Sequence, residues 1–373
     1  DSTARETTVS MKDGIISIEN LKVQLGGASI LDIPSFSISE GEFMSLIGPN
    51  GSGKSTLLLV LNCLLKPVAG VLKYRGRVVS SRDESFQYRR RVSMVFQEPL
   101  LFDTTVYRNV ASGLKIRGVG REETRERVTR YLKWFSIEHL AHRSARKLSG
   151  GEAQRTSLAR AFAMEPEVIF LDEPFSALDP PTRHAISDDL NSIVKETGIT
   201  TVMVTHDQSE ALRMSDRIAV MNSGGIVQVG VPSHVMNNPA NEFVANFVGM
   251  DTILEGKVLR MQDGMATVGV ADVEIDAVGE ALPGDSVYCC VRPENVVIEL
   301  TNPDDLTSAR NNFPAVVRDI FSVGPFLKIS LDCGFAITSF VTREAFAVLD
   351  LREGMNVFIS FKATAVHLIR TNN

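Results

Sequence analysis

The sequence predicts an α/β domain built on a mostly parallel sheet, followed by an all-β domain with a small barrel. The chain has 373 residues, more than one domain usually holds. Up to about residue 248, short apolar runs alternate with helix-like stretches, which is typical of a parallel sheet covered on both faces. After Gly249 the helical periodicity fades, and short alternating strands between turn residues indicate a small barrel. We therefore expect domains at 11–248 and 249–373, with a helical subdomain at about 98–160.

The first domain contains the apolar runs that predict buried strands and the periodic stretches that predict helices. Each run has four or five residues that are mostly β-branched or apolar, as expected for strands with both faces covered. In one periodic stretch Val128, Leu132 and Phe135 recur at helical spacing. The strands are expected at 43–47, 92–96, 168–171, 201–204 and 218–221, and the helices after Lys54 and at 121–135, 150–164 and 181–195.

The second domain contains a weak internal repeat. Residues 284–287 (GDSV) recur seventy residues later as 354–357 (GMNV), each followed by a similar β-branched run. We expect two related β-units at about 252–300 and 308–371, joined to the first domain by residues 229–246. The strands are expected at 256–259, 265–270, 287–291, 315–320 and 326–331.

Composition and charge exclude several classes of protein. Hydrophobic residues make up 44% and charged residues 23%, which excludes disorder as the main state. With 39 Lys and Arg against 45 Asp and Glu, the net charge of -6 argues against a nucleic-acid binder.

The four cysteines form no CxxC pair, so we expect reduced thiols and a cytosolic protein. The longest apolar run, 57–65, is half a membrane span. Residues 1–10 are polar and are expected to be a disordered extension, a tag or a leader.

Residues 48–55 fit the pattern G-x-x-x-x-G-K-[ST], between an expected strand and a helix that opens at Lys54. Glycines let backbone N–H groups surround a β-phosphate, Lys54 neutralises the β- and γ-phosphate oxygens, and the Ser55 hydroxyl coordinates Mg²⁺. This motif alone predicts a P-loop nucleotide site. The residues expected to hold the nucleotide are Gly48, Asn50, Gly51, Ser52, Gly53, Lys54, Ser55 and Thr56.

Two acids end the apolar run that begins at Val168. Acids at the carboxyl end of a buried strand emerge at the edge of an α/β sheet where ligands bind. Asp172 is suited to hold Mg²⁺, directly or through water. Glu173 is suited to orient or deprotonate an attacking water. We expect both residues beside the phosphate site.

A second helix N-terminus with anion-binding character begins in the segment 148–155, LSGGEAQR. With the P-loop, this segment resembles the signature of ABC transporter ATPase subunits. The resemblance implies that the signature of one subunit closes over ATP held by the P-loop of another, so the active unit is a homodimer with two ATP molecules. The residues that carry this expectation are Ser149, Gly150, Gly151 and Gln154.

The other elements of the ABC family follow in the same order. Gln97 matches the Q-loop, which the family uses to sense Mg²⁺ and to contact the membrane partner. Asp179 matches the D-loop, which crosses the dimer interface. His206 matches the switch histidine that contacts the γ-phosphate. The resemblance therefore implies that Glu173, His206 and Gln97 act in hydrolysis, with Ser55, Gln97 and Asp172 at the metal. Leu25 departs from the family pattern, because many members have an aromatic residue there that stacks on adenine.

The number and spacing of the motifs favour some types of ABC protein over others. Only 94 residues separate Lys54 from Leu148, which leaves room for a helical subdomain but not for the long coiled coil of DNA-repair members. One set of motifs and no fused membrane span favour an importer. The resemblance then implies a peripheral protein on the cytoplasmic face of the membrane, with integral-membrane permease subunits and an extracytoplasmic solute-binding protein on other chains. A soluble, non-transport ABC ATPase is the competing class.

The second domain suggests what is transported. Residues 291–295 (VRPEN) resemble the transport-associated OB (TOBE) domain of importer ATPases, and 308–311 (SARN) and 361–367 (FKATAVH) resemble molybdate-binding modules. A tetrahedral dianion is bound by hydroxyls, backbone N–H groups and cations. We expect tungstate or molybdate as the transported and regulatory anion, with sulfate, sugar or another small solute as alternatives. The residues expected to bind the oxyanion are Ser308, Arg310, Asn311, Lys362 and Thr364.

Overall fold

The computed structural model describes residues 14–302 and 308–371, and the expected extension at 1–10 lies outside them. The chain divides into two compact units, Asp1–Pro232 and Ser233–Asn373. This division lies before the boundary expected after residue 248, because the helices and loops of 233–248 pack with the β-strands that follow them. Among the described residues, no helix is both long and apolar enough to cross a membrane.

The first unit is organised around two sheets. Its strands are β1 Ile16–Leu25, β2 Ala28–Ile38, β3 Phe43–Ile47, β4 Ala69–Tyr74, β5 Arg77–Val78, β6 Val92–Val95, β7 Val168–Asp172, β8 Thr200–Val204, β9 Arg217–Asn222 and β10 Gly225–Gly230. Its helices are α1 Lys54–Leu61, α2 Arg82–Arg89, α3 Val106–Ile116, α4 Arg121–Trp134, α5 Gly150–Phe162, α6 Pro180–Thr197 and α7 Gln208–Met214.

The larger sheet has the order β10-β9-β3-β8-β7-β6, and every neighbouring pair except β10 with β9 is parallel. Both of its faces are buried. Along β7, Val168 and Phe170 pack in one apolar core, whereas Ile169 and Leu171 pack in the other. Strands with two covered faces need apolar residues at every position, which explains the continuous runs in the sequence.

The smaller sheet is antiparallel, in the order β2-β1-β4-β5, and covers one face of the large sheet. The other face is covered by α3, α5 and α6, to which Val110, Phe162 and Ile186 contribute fully buried side chains. Helices α3–α5 occupy the region in which the helical subdomain was expected. The small sheet was not predicted from the sequence, because buried and exposed residues do not alternate regularly along strands such as β2.

The second unit consists of two five-stranded sheets and short helices. Its elements are α8 Pro232–Asn237, α9 Glu242–Phe247, β11 Thr252–Gln262, β12 Met265–Val270, β13 Val273–Val278, β14 Ser286–Val291, β15 Val297–Glu299, β16 Asn311–Val323, β17 Phe326–Asp332, β18 Ala336–Thr342, α10 Arg343–Leu349, β19 Asn356–Phe361 and β20 Val366–Arg370. The sheet orders are β13-β12-β11-β14-β20 and β15-β19-β16-β17-β18. The α/β fold and the all-β OB-like fold predicted from the sequence are confirmed.

The two halves of the second unit repeat each other but exchange their last strands. Each half has a three-stranded meander, a fourth strand, a single 3-10 turn and a final short strand. The final strand of the first half, β15, pairs with β19, and that of the second half, β20, pairs with β14. The expected units 252–300 and 308–371 are therefore not independent barrels. The 3-10 turns at 293–295 and 363–365 direct the last strand of each half into the sheet of the other half. A sequence repeat does not show this exchange.

Candidate nucleotide-binding and catalytic site

The P-loop joins β3 to α1, and two of its glycines have backbone conformations that residues with a side chain rarely adopt. Gly48 has a φ of 152° and Gly53 a φ of 99°. A Cβ atom on Gly48 would lie 2.2 Å from the carbonyl oxygen of Met221, and one on Gly53 would lie 2.5 Å from a methyl of Leu31. The backbone thus reaches a curled shape that only glycine adopts without strain. Such a loop before a helix turns its N–H groups toward a phosphate.

Lys54 and Ser55 open α1 at the carboxyl end of β3. The Lys54 Nζ donates to the carbonyl oxygens of Gly48 and Pro49, at 2.9 Å each. The Ser55 Oγ donates to Asp172 Oδ1 at 2.9 Å. The hydroxyl and the carboxylate expected to hold Mg²⁺ are therefore adjacent. Mg²⁺ in nucleotide sites uses one or two such ligands together with phosphates and waters, so this pair fits the ion.

Burial changes the acid–base properties of the P-loop. The pKa of Asp172 is raised, mainly because burial disfavours the carboxylate. The pKa of Lys54 is lowered, mainly by burial as well, although the carboxylates of Glu173 and Asp172 oppose the shift. In a low-dielectric site, the Lys54 ammonium and the Asp172 carboxylate are both stabilised when a ligand brings a charge of opposite sign close to each of them. In the described residues no group of three or more His, Cys, Asp or Glu could hold a metal by itself.

Three sequence motifs meet at Glu173, the acid that directly follows β7. The Gln97 Nε2 donates to Glu173 Oε2 and to the Ser176 Oγ, at 3.3 Å each. The His206 Nδ1 lies 3.3 Å from the same Glu173 Oε2. Glu173 is 17% exposed and has a φ of 44°, a left-handed conformation that costs a side-chain-bearing residue about 1–3 kcal/mol. Its backbone N–H donates to Val204, so the sheet holds this strained residue at its edge.

The loop that carries His206 is held by a polar network beneath it. The Thr205 Oγ1 donates to Glu210 Oε2 at 2.6 Å and accepts from the Asp207 backbone N–H at 3.0 Å. Asp207 in turn caps α7 by accepting from the Ser209 N–H. The His206 side chain is 53% exposed and projects from this fixed loop. A fixed loop with an exposed ring is suited to meet a ligand.

The signature segment forms the start of α5. The Ser149 Oγ accepts from the Glu152 N–H and the Glu152 carboxylate accepts from the Ser149 N–H, a capping box that fixes the helix N-terminus. A Cβ on Gly151 would meet a methyl of Thr182 at 2.7 Å, so the signature packs against the first turn of α6. Asp179 caps that helix by accepting from the Thr182 N–H. The signature and Asp179 line one groove.

The expected ATP-site residues therefore form two clusters. One cluster begins with the P-loop, which connects β3 to α1 and includes Asn50, Gly51 and Ser52, and with Thr56 in the first turn of α1. The same cluster includes four residues at the ends of adjoining strands: Asp172, Glu173, Gln97 and His206. The cluster of Ser149, Gly150, Gly151 and Asp179 lines a separate groove. Gln154 is 3% exposed, and its Nε2 has no partner among the described residues. Leu25 lies at the β1–β2 turn and is half exposed.

The oxyanion residues do not share one pocket. Arg310 lines a groove with Asp263 and Asp276, whereas Thr364 lines another with Arg292. Ser308 and Lys362 are exposed. The register pairs Asn311 with Phe361, so the segments before one and after the other run side by side.

Asn311 has a structural role that the sequence did not suggest. It is 2% exposed, accepts from the Asp276 N–H at 2.8 Å and donates to the Asp276 carbonyl at 2.9 Å. Thr252 occupies the matching place at the start of β11, and its hydroxyl accepts from the Thr338 N–H of β18. The first residue of each meander thus binds the backbone of the other half. Asn311 joins the two sheets.

Sequence reasoning gave no individual role to Ser176, Thr205, Glu210 and Arg183, which line the cleft around Glu173 and His206. Ser176 begins the segment 176–179 that matches the D-loop, of which only Asp179 was assigned a role. The other three carry no pattern of their own, since their partners become neighbours only in the folded chain.

The P-loop, the paired acids and the second anion-binding helix define an ATPase of the ABC type, and comparisons with known proteins agree. The ABC transporter family profile matches residues 31–176, and the TOBE domain profile matches residues 307–368. A molybdate/tungstate import ATP-binding protein of Pyrococcus horikoshii is 37% identical over 336 residues, 90% of this chain and 94% of the relative. A spermidine/putrescine import ATP-binding protein of Clostridium novyi is 37% identical over 290 residues, 77% of this chain and 82% of the relative.

A solved dimeric structure of MJ0796, a bacterial ABC transporter cassette, matches with a TM-score of 0.54 at 34% identity, covering 58% of this chain and 98% of that chain. The chain belongs to the family of ABC transporter ATP-binding proteins. Within this family it is the ATP-hydrolysing subunit of an importer.

Proposed function

We propose that this chain is a homodimeric, Mg²⁺-dependent ATPase on the cytoplasmic face of the membrane that powers import of a tetrahedral oxyanion, molybdate or tungstate. The observation that carries the catalytic part is the contact of Gln97 and His206 with one carboxylate oxygen of Glu173. Three motifs from distant parts of the chain meet there, beside the Ser55–Asp172 pair suited to Mg²⁺.

In the proposed reaction, a water held by Glu173 attacks the γ-phosphorus of ATP. The bond from the γ-phosphorus to the bridging oxygen breaks, ADP leaves with that oxygen, and the water proton passes to the Glu173 carboxylate. Lys54 and the P-loop N–H groups bind the phosphate charge, and His206 orients Glu173 and the γ-phosphate. Ser55 and Asp172 would hold Mg²⁺, which would supply positive charge against the phosphates.

The dimer completes each site. The Ser149–Gly151 helix start lies in a groove with Asp179, separate from the P-loop of its own chain. A helix N-terminus binds negative charge, so a partner's signature is suited to clamp the γ-phosphate. The dimeric ABC cassette of similar sequence supports this arrangement. Closure on ATP and reopening after hydrolysis would then drive the permease through the Gln97 region.

The choice of oxyanion rests on the second unit. The molybdate/tungstate relative matches along nearly all of this chain, and the SARN and FKATAVH segments supply hydroxyls and the cations Arg310 and Lys362. When the cell already contains enough of the anion, bound anion would hold the dimer open, which would couple the anion site to the ATP site. Polyamine import is the main competitor, because the spermidine/putrescine relative is equally identical over a shorter span.

Glu173→Gln tests the catalytic proposal. The amide cannot accept the proton, so we expect turnover to fall about 10²- to 10³-fold, with ATP affinity unchanged and a dimer stable in ATP by size-exclusion chromatography. The control is Glu196→Gln, an exposed glutamate in the last turn of α6, which should behave like wild type. Normal hydrolysis by Glu173→Gln would refute the assignment.

Calorimetry on the full chain tests the anion. We expect molybdate and tungstate to bind, sulfate to bind more weakly, and spermidine not to bind. Arg310→Gln and Lys362→Gln should each weaken binding, whereas Arg352→Gln should not, because Arg352 pairs with Asp350 elsewhere on the same unit. Absence of binding by all three anions would remove the regulatory role of this unit.

A further inference from the structure

Arg183 lies between two loops of the proposed catalytic site. It belongs to the first turn of α6, and its Nη2 donates to the carbonyl oxygen of Leu178 at 3.3 Å. Its Nη1 lies 3.4 Å from the Oδ2 of Asp207, the residue after His206. The side chain is 28% exposed and lines the same cleft as Glu173 and His206.

The two partners of Arg183 belong to segments with different tasks. Leu178 immediately precedes Asp179, the proposed interface residue, in the D-loop. The Asp207 carboxylate also fixes α7, since its Oδ1 accepts from the Ser209 N–H at 2.9 Å. One guanidinium therefore connects a D-loop carbonyl to the carboxylate beside the switch histidine. A planar guanidinium can donate in two directions at once, which an ammonium on a flexible stem does less well.

The third donor of the guanidinium group is not satisfied. The Arg183 Nε is buried and has no partner among the residues that the structure describes. A buried donor without a partner is uncommon and unfavourable. The two contacts of the Nη atoms are long, at 3.3 and 3.4 Å, so small movements of the D-loop or of the His206 loop would weaken them.

We propose that Arg183 is a positioning residue that couples the D-loop to His206. When dimer closure displaces the D-loop, the guanidinium transmits the displacement through Asp207 to the His206 ring, which lies 3.3 Å from Glu173. Hydrolysis then depends on correct closure. This inference rests on the proposed roles of Asp179 and His206.

Arg213 provides a matched control. It also joins α7 to α6, with its Nη1 2.8 Å from Asp188 Oδ1, but it reaches neither the D-loop nor the His206 loop. Arg213→Gln and Arg183→Gln therefore each remove an arginine–aspartate contact made by α6. Only Arg183→Gln removes a contact to the catalytic loops.

The experiment measures kcat, the KM for ATP and Tm on the full chain. For Arg183→Gln we expect kcat to fall about tenfold or more, because small misplacements of catalytic groups are costly, with KM within about twofold because the P-loop is untouched. Arg183→Lys should restore less than half of kcat. Arg213→Gln should keep kcat within about twofold. A normal kcat in Arg183→Gln, or an equal kcat loss in Arg213→Gln at equal Tm, would overturn the proposal.

A double-mutant cycle with Asp207→Asn tests the route. Asparagine still caps α7 but lacks the charge that faces Arg183. If Arg183 acts through Asp207, the double variant is no slower than the slower single variant, whereas losses that multiply contradict the route. If Arg183→Gln does not fold, the single variant Asp207→Asn still tests the route, because it removes the charge that faces Arg183 and should lower kcat in the same way, and a normal kcat would contradict the route. Hydrolysis by Glu173→Gln would refute the proposed function itself, independently of these results.

Discussion

Replacing Asn311 distinguishes two roles of this residue in the second unit, as an anchor between the two β-sheets or as a ligand of the anion. Its side chain makes two hydrogen bonds with the Asp276 backbone and is 2% exposed. Each such bond contributes about 1–1.5 kcal/mol, so Asn311→Ala should lower the local free energy of opening by about 2–3 kcal/mol. Because 1.4 kcal/mol is a factor of ten, amide exchange in β13 and at the start of β16 should become about 30- to 150-fold faster.

Hydrogen exchange followed by mass spectrometry on the full chain measures this change without requiring two-state unfolding of a two-unit protein. Asn312→Ala is the control, since the Asn312 Nδ2 makes one hydrogen bond, to Ala309, and its loss should speed exchange about tenfold or less. If Asn311→Ala leaves exchange at the wild-type rate and abolishes molybdate binding, Asn311 is a ligand and the sheet-joining role is wrong.

Three further outcomes are expected. Because burial raises the pKa of Asp172, the folded state binds this proton more tightly than the unfolded state, and stability falls as pH rises through the ordinary Asp range; Asp172→Asn should raise Tm at pH 7 but not at about pH 3, and a lower Tm at pH 7 would contradict this. Burial raises the pKa of Cys289 and Cys290 to about 12, so peptide mapping after alkylation at pH 8 should show both reacting about a thousandfold slower than an exposed thiol; fast labelling in the native protein would show that the strand opens. Gly48→Ala should weaken ATP binding about tenfold or more, since its Cβ would meet the Met221 carbonyl at 2.2 Å; unchanged affinity in a nucleotide titration would show that the P-loop relaxes.

Much of the first unit could be predicted because its local patterns agree with its tertiary structure. The apolar runs at 43–47 and 168–171 are β3 and most of β7, since a strand covered on both faces tolerates few polar residues. The antiparallel sheet escaped prediction because β1 and β2 mix buried and exposed positions with bulges. Its burial is decided by the large sheet beneath it and not by its own pattern.

The order of the motifs along the chain and the glycines of the P-loop follow from the sequence alone, because these depend on short-range backbone geometry and on residue chemistry. Tertiary structure alone decided that Gln97 meets Glu173, 76 residues away, and that Arg183 meets Asp207. It also decided the exchange of β15 and β20, and with it the anchoring role of Asn311. The reason is physical: a side chain's partners across a sheet edge or between exchanged strands are set by which distant segments pack together, and no local periodicity encodes that choice.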